Sequence, residues 1–132
     1  MKSLKTARNK ADKVFSQYIR LRDTAGEPRG GYCISCNKWF PYEKLDAGHY
    51  VIRRVLSLRF DVCNVHAQCR FCNRFNEGNH LGFTEGLKKI YGDEIFKYFG
   101  ACINKHVKYS VLDLQIIAQQ FQEKIDALKV SK

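Results

Sequence analysis

The chain has 132 residues, 45% of them hydrophobic and 27% charged, which suits a single folded domain with one modest core and excludes a low-complexity or fibrous class. Charges interrupt every apolar run well before the ~18 residues of a membrane span. No apolar segment follows the basic start MKSLKTARNK, so the expectation is a cytosolic protein without a signal peptide. The net charge of +10 suits an anionic partner, either nucleic acid or an acidic membrane face.

Residues 3–22 predict a helix. Leu4, Ala7, Ala11, Val14, Tyr18 and Leu21 recur at steps of three and four, widened by Phe15 and Ile19, while lysines and arginines occupy much of the remaining surface. Gly and Pro predict a loop over 24–31. YCISCNKWF reads as a hairpin with Cys33 and Cys36 at its tip. HYVI, 49–52, is β-prone, with LRF, 58–60, as its expected partner and RRVLS as the connection. From Asn73 onward the pattern turns helical. Leu81, Leu87, Ile90 and Tyr91 suggest one helix ended by Gly92. Asp93 would cap a second, with Ile95, Phe96, Phe99 and Ile103 inward. Ser110 would cap a last helix with the stripe Leu114, Ile117, Phe121, Ile125 and Leu128. The expected class is α+β, one domain over 1–132. It comprises a basic helix and loop (1–30), a metal-stapled core (31–80) and a helical C-terminal part (81–132).

Six cysteines in a reducing compartment do not read as disulfides. Cys33 with Cys36, and Cys69 with Cys72, form two Cys-x-x-Cys pairs separated by 32 residues. Four thiolates make a closed tetrahedral zinc site with no open position, so this zinc is expected to be structural. Its binding would contribute roughly 10 kcal/mol or more to folding. Cys63 and Cys102 stand alone and read as small buried hydrophobes. Arg53, Arg54, Arg59, Arg70 and Arg74 cluster around the second pair against one acid, Asp61, and are the expected DNA contacts.

Between and after the pairs stand His49 in DAGHY, Asn64 in NVHAQC and Asn73 directly behind the fourth cysteine. A carboxamide is a poor zinc ligand but a good ligand for a hard cation. His, Asn, Asn in this order, interleaved with two cysteine pairs, resembles the HNH nucleases, or ββα-metal nucleases, in their HNN variant. The asparagine after the last cysteine is similar to phage endonuclease VII. ARNKADKVFSQYIRLRD, DAGHY, LRFD, NVHAQC, CNRF and GLKKIYGDE resemble the NinG (Rap) recombination proteins of lambdoid phages, over roughly residues 6–100.

The resemblance implies a small zinc-stapled ββα-metal core and a metal-dependent endonuclease acting on branched DNA, Holliday junctions or D-loops, inside the bacterial host. It implies His49 as general base, Asn64 as a brace for the loop that orients the histidine, and Asn73 as a ligand of catalytic Mg²⁺ or Mn²⁺. HNH proteins commonly carry Asp or His directly before the base, where this chain has Gly48. The replacement ligand is expected to be Asp46, re-aimed by a glycine-assisted bulge, or Glu77, four residues after Asn73 and so on one helix face with it. His80 is a weaker third choice. His66 would pack locally, with DNA binding or holding its loop as the alternative, and Arg53 or Arg54 would clamp the scissile phosphate or else contact the backbone non-specifically. Symmetric cutting of a four-way junction needs two active sites, so a homodimer through the last helix is one expected arrangement. No membrane partner and no small-molecule cofactor are expected. The competing readings are a non-catalytic zinc module that binds DNA or a recombinase, and an HNH nuclease of restriction or homing type. The first would have no need of His49 or Asn73.

Overall fold

The N-terminal apolar stripe forms helix α1, Leu4–Arg22, and Ser3 caps it by accepting the Thr6 N–H on its Oγ at 3.1 Å. The structure, a computed structural model, describes residues 3–25 and 29–130; residues 26–28 of the expected loop lie outside the described residues. There follow β1 (Gly30–Tyr32), β2 (Trp39–Pro41), β3 (Leu45–His49), α2 (Leu56–Arg59) and β4 (Val65–Cys69). The chain ends in α3 (His80–Tyr91), α4 (Glu94–Ile103) and α5 (Val111–Val130), making a mixed α+β architecture.

Helix α5 returns to pack along α1. Leu114, Ala118, Phe121 and Ile125 bury against Ala7, Ala11, Val14, Phe15 and Ile19. The stripe considered as a dimer face is therefore covered by the chain's own first helix. Ser110 and Asp113 cap α5 reciprocally. The Asp113 N–H donates to Ser110 Oγ at 3.0 Å, and the Ser110 N–H donates to Asp113 Oδ2 at 2.9 Å.

Strands β1 and β2 form the expected hairpin, pairing Tyr32 with Trp39 and presenting Cys33 and Cys36 at the tip. The second hairpin differs from the expectation. Its first strand is Leu45–His49, and its partner is VHAQC, 65–69, in a regular antiparallel register from Leu45↔Cys69 to His49↔Val65. LRF lies instead in and just after α2, with Leu58 fully buried. The reason is burial. β4 is buried along its whole length, so no apolar-polar alternation marks it. Its two polar members, His66 and Gln68, find partners only in the fold.

The helix expected from Asn73 is also broken. Phe71–Phe75 forms one wide π-helical turn, closed by the Asn76 N–H on the Phe71 carbonyl at 3.0 Å. Glu77, Gly78 and Asn79 then take positive φ angles of 49°, 78° and 39°, which no helix continues. α3 starts afresh with Asn79 as its cap and packs inward through Phe83 and Leu87, leaving Leu81 and Ile90 exposed. In α4 the inner face is Ile95, Phe99 and Cys102; Ile103 is exposed, one residue off the stripe. Among the described residues no helix is long and apolar enough to cross a membrane.

Candidate functional site

The hairpin tip and the end of β4 bring Cys33, Cys36, Cys69 and Cys72 together, with all four sulfurs within 4.8 Å of one another. The N–H groups of Ser35 and Cys36 donate to Cys33 Sγ, and that of Cys72 to Cys69 Sγ, each at 3.4 Å. Asn79 Nδ2 donates to Cys72 Sγ at 3.3 Å. Burial pushes the Cys72 thiol up to about 12 and raises Cys36, with the neighbouring sulfurs adding to both shifts. Burial also opposes ionisation of Cys33, but backbone N–H donors outweigh it and lower that thiol. Four sulfurs this close cannot all be thiolates without a cation among them. The soft, closed donor set is one that could hold a zinc ion.

A cleft of about 520 Å³ opens over the face of β3 that carries Ala47 and His49. Its walls come from α1 (Asp12, Phe15, Ser16), the loop after β3 (Tyr50, Ile52, Arg53), the π turn (Asn73) and the turn before α3 (Glu77, Gly78), together with His80. His49, the last residue of β3, lies in it. His49 Nε2 stands 2.9 Å from the Arg59 carbonyl. A carbonyl only accepts, so the neutral ring carries its proton on Nε2 and leaves Nδ1 as an acceptor. That Nδ1 has no protein partner among the described residues and is not sealed from solvent. Burial lowers the His49 pKa, helped by the charges of Arg53 and Arg59 and opposed by the carbonyl bond and Asp12.

Asn64 is fully buried and holds the loop behind the histidine. Its Oδ1 accepts the Val51 N–H at 2.8 Å, and its Nδ2 donates to the carbonyls of Val51 and Leu58 at 3.0 and 3.1 Å. Leu58 directly precedes Arg59, so the carbonyl that orients His49 belongs to a segment pinned by Asn64. Asp12 adds a second restraint. Its carboxylate takes a bidentate fork from the Arg59 guanidinium, with Nε to Oδ1 at 2.9 Å. Nothing in the sequence links residues 47 positions apart, and Asp12 escaped the sequence reading for that reason.

Asn73 lines the same cleft. Its Nδ2 donates to Asp46 Oδ2 at 3.0 Å, and its Oδ1 has no partner among the described residues. Asp46 is not a cleft residue. The β3–β4 register has no bulge, so Asp46 stays on the opposite face from His49. Both its oxygens accept from Arg74, at 2.9 Å each. Glu77 reaches the cleft, though not along a helix from Asn73; its left-handed backbone turns it there. His80 stacks on Tyr50 with ring centroids 4.1 Å apart and lines the far wall. Gly48 leaves no room for the acid expected at that position. A Cβ there would lie 2.0 Å from Gln68 Oε1, and the Gln68 amide is tied to Ser35 Oγ and the Gly78 carbonyl.

The arginines divide. Arg59 is mostly buried and engaged with Asp12, so it is not free for DNA. Arg74 forks onto Asp46 and Arg70 donates to the Glu43 carbonyl at 2.6 Å, each with about half its side chain still exposed. Arg53 is exposed on the cleft rim and Arg54 is exposed beside it. His66 is buried, with Nε2 2.9 Å from the Tyr91 hydroxyl, and is out of reach of DNA.

A family model described as "Bacteriophage Lambda NinG protein" matches residues 1–131. The chain belongs to the NinG family. Protein ninG of Escherichia phage 933W is 31% identical over 123 residues, covering 92% of this chain and 58% of that protein. Protein ninG of Escherichia phage lambda is 29% identical over 123 residues, covering 92% and 57%, and that of Salmonella phage P22 is 28% identical over the same shares. The chain thus spans less than three fifths of the length of these NinG relatives. No solved structure matches it.

Proposed function

We propose that this NinG-family chain is a metal-dependent DNA endonuclease with a ββα-metal, HNH-like site. One observation carries the reading. In a single cleft, His49 and Asn73 each have a nitrogen tied down and an acceptor atom open, Nδ1 and Oδ1. The β3–β4 pair leading into the cysteine-anchored turn supports it.

His49 Nδ1 would take a proton from water, and the resulting hydroxide would attack phosphorus in line with the 3′-oxygen, which departs. This leaves a 3′-hydroxyl and a 5′-phosphate. Asn64 and Asp12 hold the Arg59 segment, whose carbonyl keeps the imidazole in the tautomer that accepts at Nδ1. Mg²⁺ or Mn²⁺, held by Asn73 with Glu77 and His80 as neighbouring donors, would stabilise charge on the phosphate and the leaving oxygen. Glu77 is favoured over Asp46, whose carboxylate is committed to Arg74 and Asn73. Arg53, on the rim, would hold a phosphate, while Arg54, Arg70 and Arg74 would meet the backbone. The preference for branched DNA, and a dimer to cut it, follow from the resemblance to recombination nucleases.

The test is incubation of the pure chain with linear, forked and four-way DNA in Mg²⁺, Mn²⁺ or EDTA. Cleavage that needs the divalent ion and favours branched substrates is expected. No cleavage in either metal would make the non-catalytic zinc module the better reading.

A further inference from the structure

The π turn that delivers Asn73 to the cleft also carries two phenylalanines on its outside. Phe71 and Phe75 are 64% and 77% exposed. Neither ring stacks on another aromatic among the described residues. They are four residues apart on a wide turn, so their side chains project from nearly the same face. Arg70 and Arg74, offset by one residue, form a parallel row beside them, each about half exposed.

The turn is held rigidly. Cys69 and Cys72 anchor its start in the cysteine cluster, the Asn76 N–H closes it, and Arg74 and Asn73 both bind Asp46. Two rings held out in water on a stiff support, next to guanidinium groups, form a surface prepared for one kind of partner. Flat apolar rings suit the faces of unstacked bases, and the adjacent arginines suit the phosphates that join those bases. A protein partner would also use rings and arginines, but the +10 charge of the chain favours a polyanion.

We propose that Phe71 and Phe75 stack on unpaired bases of a DNA strand whose phosphates Arg70 and Arg74 meet. This rests on the DNA-binding part of the function proposed above and not on its chemistry. It supplies a physical source for a preference for branched or single-stranded DNA, because bases inside a duplex are already stacked and offer no free face.

The experiment measures binding without added divalent cation, so that its outcome is separate from cleavage. Wild-type chain and the double variant Phe71→Ala, Phe75→Ala are titrated onto labelled single-stranded, forked and fully paired DNA. The variant is expected to lose roughly tenfold or more in affinity for the single-stranded and forked probes, on the scale of aromatic stacking. Duplex affinity should change less than about twofold. In the fork, 2-aminopurine at the unpaired position should be quenched by wild type and not by the variant. Phe71→Tyr with Phe75→Tyr should retain binding and quenching, whereas Phe71→Leu with Phe75→Leu should lose both, and this pair decides the matter if the alanine variant does not fold. Unchanged single-strand affinity, an equal loss on duplex, or leucine serving as well as tyrosine would overturn the proposal. So would self-association that disappears in the alanine variant while DNA binding stays intact, since the rings would then be a protein interface.

Discussion

His49 is held by its protein neighbours in the form that proton abstraction requires. Burial, with Arg53 and Arg59 behind it, lowers its pKa from the ordinary 6.5. In the proposed mechanism the neutral ring is the base, so a lowered pKa would keep it competent to more acidic pH. The acid limb of the cleavage rate should therefore lie below pH 6.5; a pH-rate profile with its limb at or above that value contradicts this assignment. His49→Ala should lose ~10²-fold or more in rate while DNA affinity hardly changes. At Asn73 the open atom is Oδ1, so Asn73→Ala should abolish cleavage. Asn73→Asp should retain part of it, because a carboxylate is also a hard oxygen donor. Single-turnover rates on one forked substrate compare all three variants, and a wild-type rate in either alanine variant would remove that residue from the site.

At the scale of elements, the cysteine cluster joins the β1–β2 tip to the end of β4 and the π turn, so it sets where Asn73 points. Chelation of the metal, or Cys69→Ser, should release that turn and destabilise the chain. Metal analysis should find about one zinc per chain, and urea unfolding should shift to lower denaturant on its removal. A metal-free chain of unchanged stability would show the cluster to be only a group of buried thiols. Helix α3 packs on the same knuckle at glycine. A Cβ on Gly86 would lie 2.3 Å from the Ile34 carbonyl oxygen, which is backbone and cannot swing away. Gly86→Ala should cost about 1–3 kcal/mol by overpacking, measured by the same unfolding experiment.

For the whole molecule, the +10 charge predicts binding governed by counterion release. The logarithm of the binding constant should fall linearly with the logarithm of salt concentration, for duplex and forked probes alike. A flat salt dependence would mean that the exposed arginines do not meet phosphate. Because Arg59 is buried against Asp12, the salt slope should be shallower than a count of all five clustered arginines suggests.

Local signals were enough for much of this protein. The α1 and α5 stripes, the Ser110 cap, the first hairpin and the two cysteine pairs were legible because periodicity, capping chemistry and ligand spacing act over a few residues. The family could also be recognised from short motifs. The pairing of β3 with β4 was not legible, since a strand buried on both faces carries no alternation and its His66 and Gln68 look like surface residues. The break after Phe75 was legible in part, since Gly78 and Asn79 tolerate a left-handed backbone whereas Glu77 gives no such signal. The assignment of charges was hidden most completely. Arg59 looked like a DNA contact and Asp46 like an open ligand until the fold put Asp12 and Arg74 beside them. Pairing energies between residues far apart in sequence exist only once the chain is folded, so tertiary structure alone decides which charges stay free for a partner.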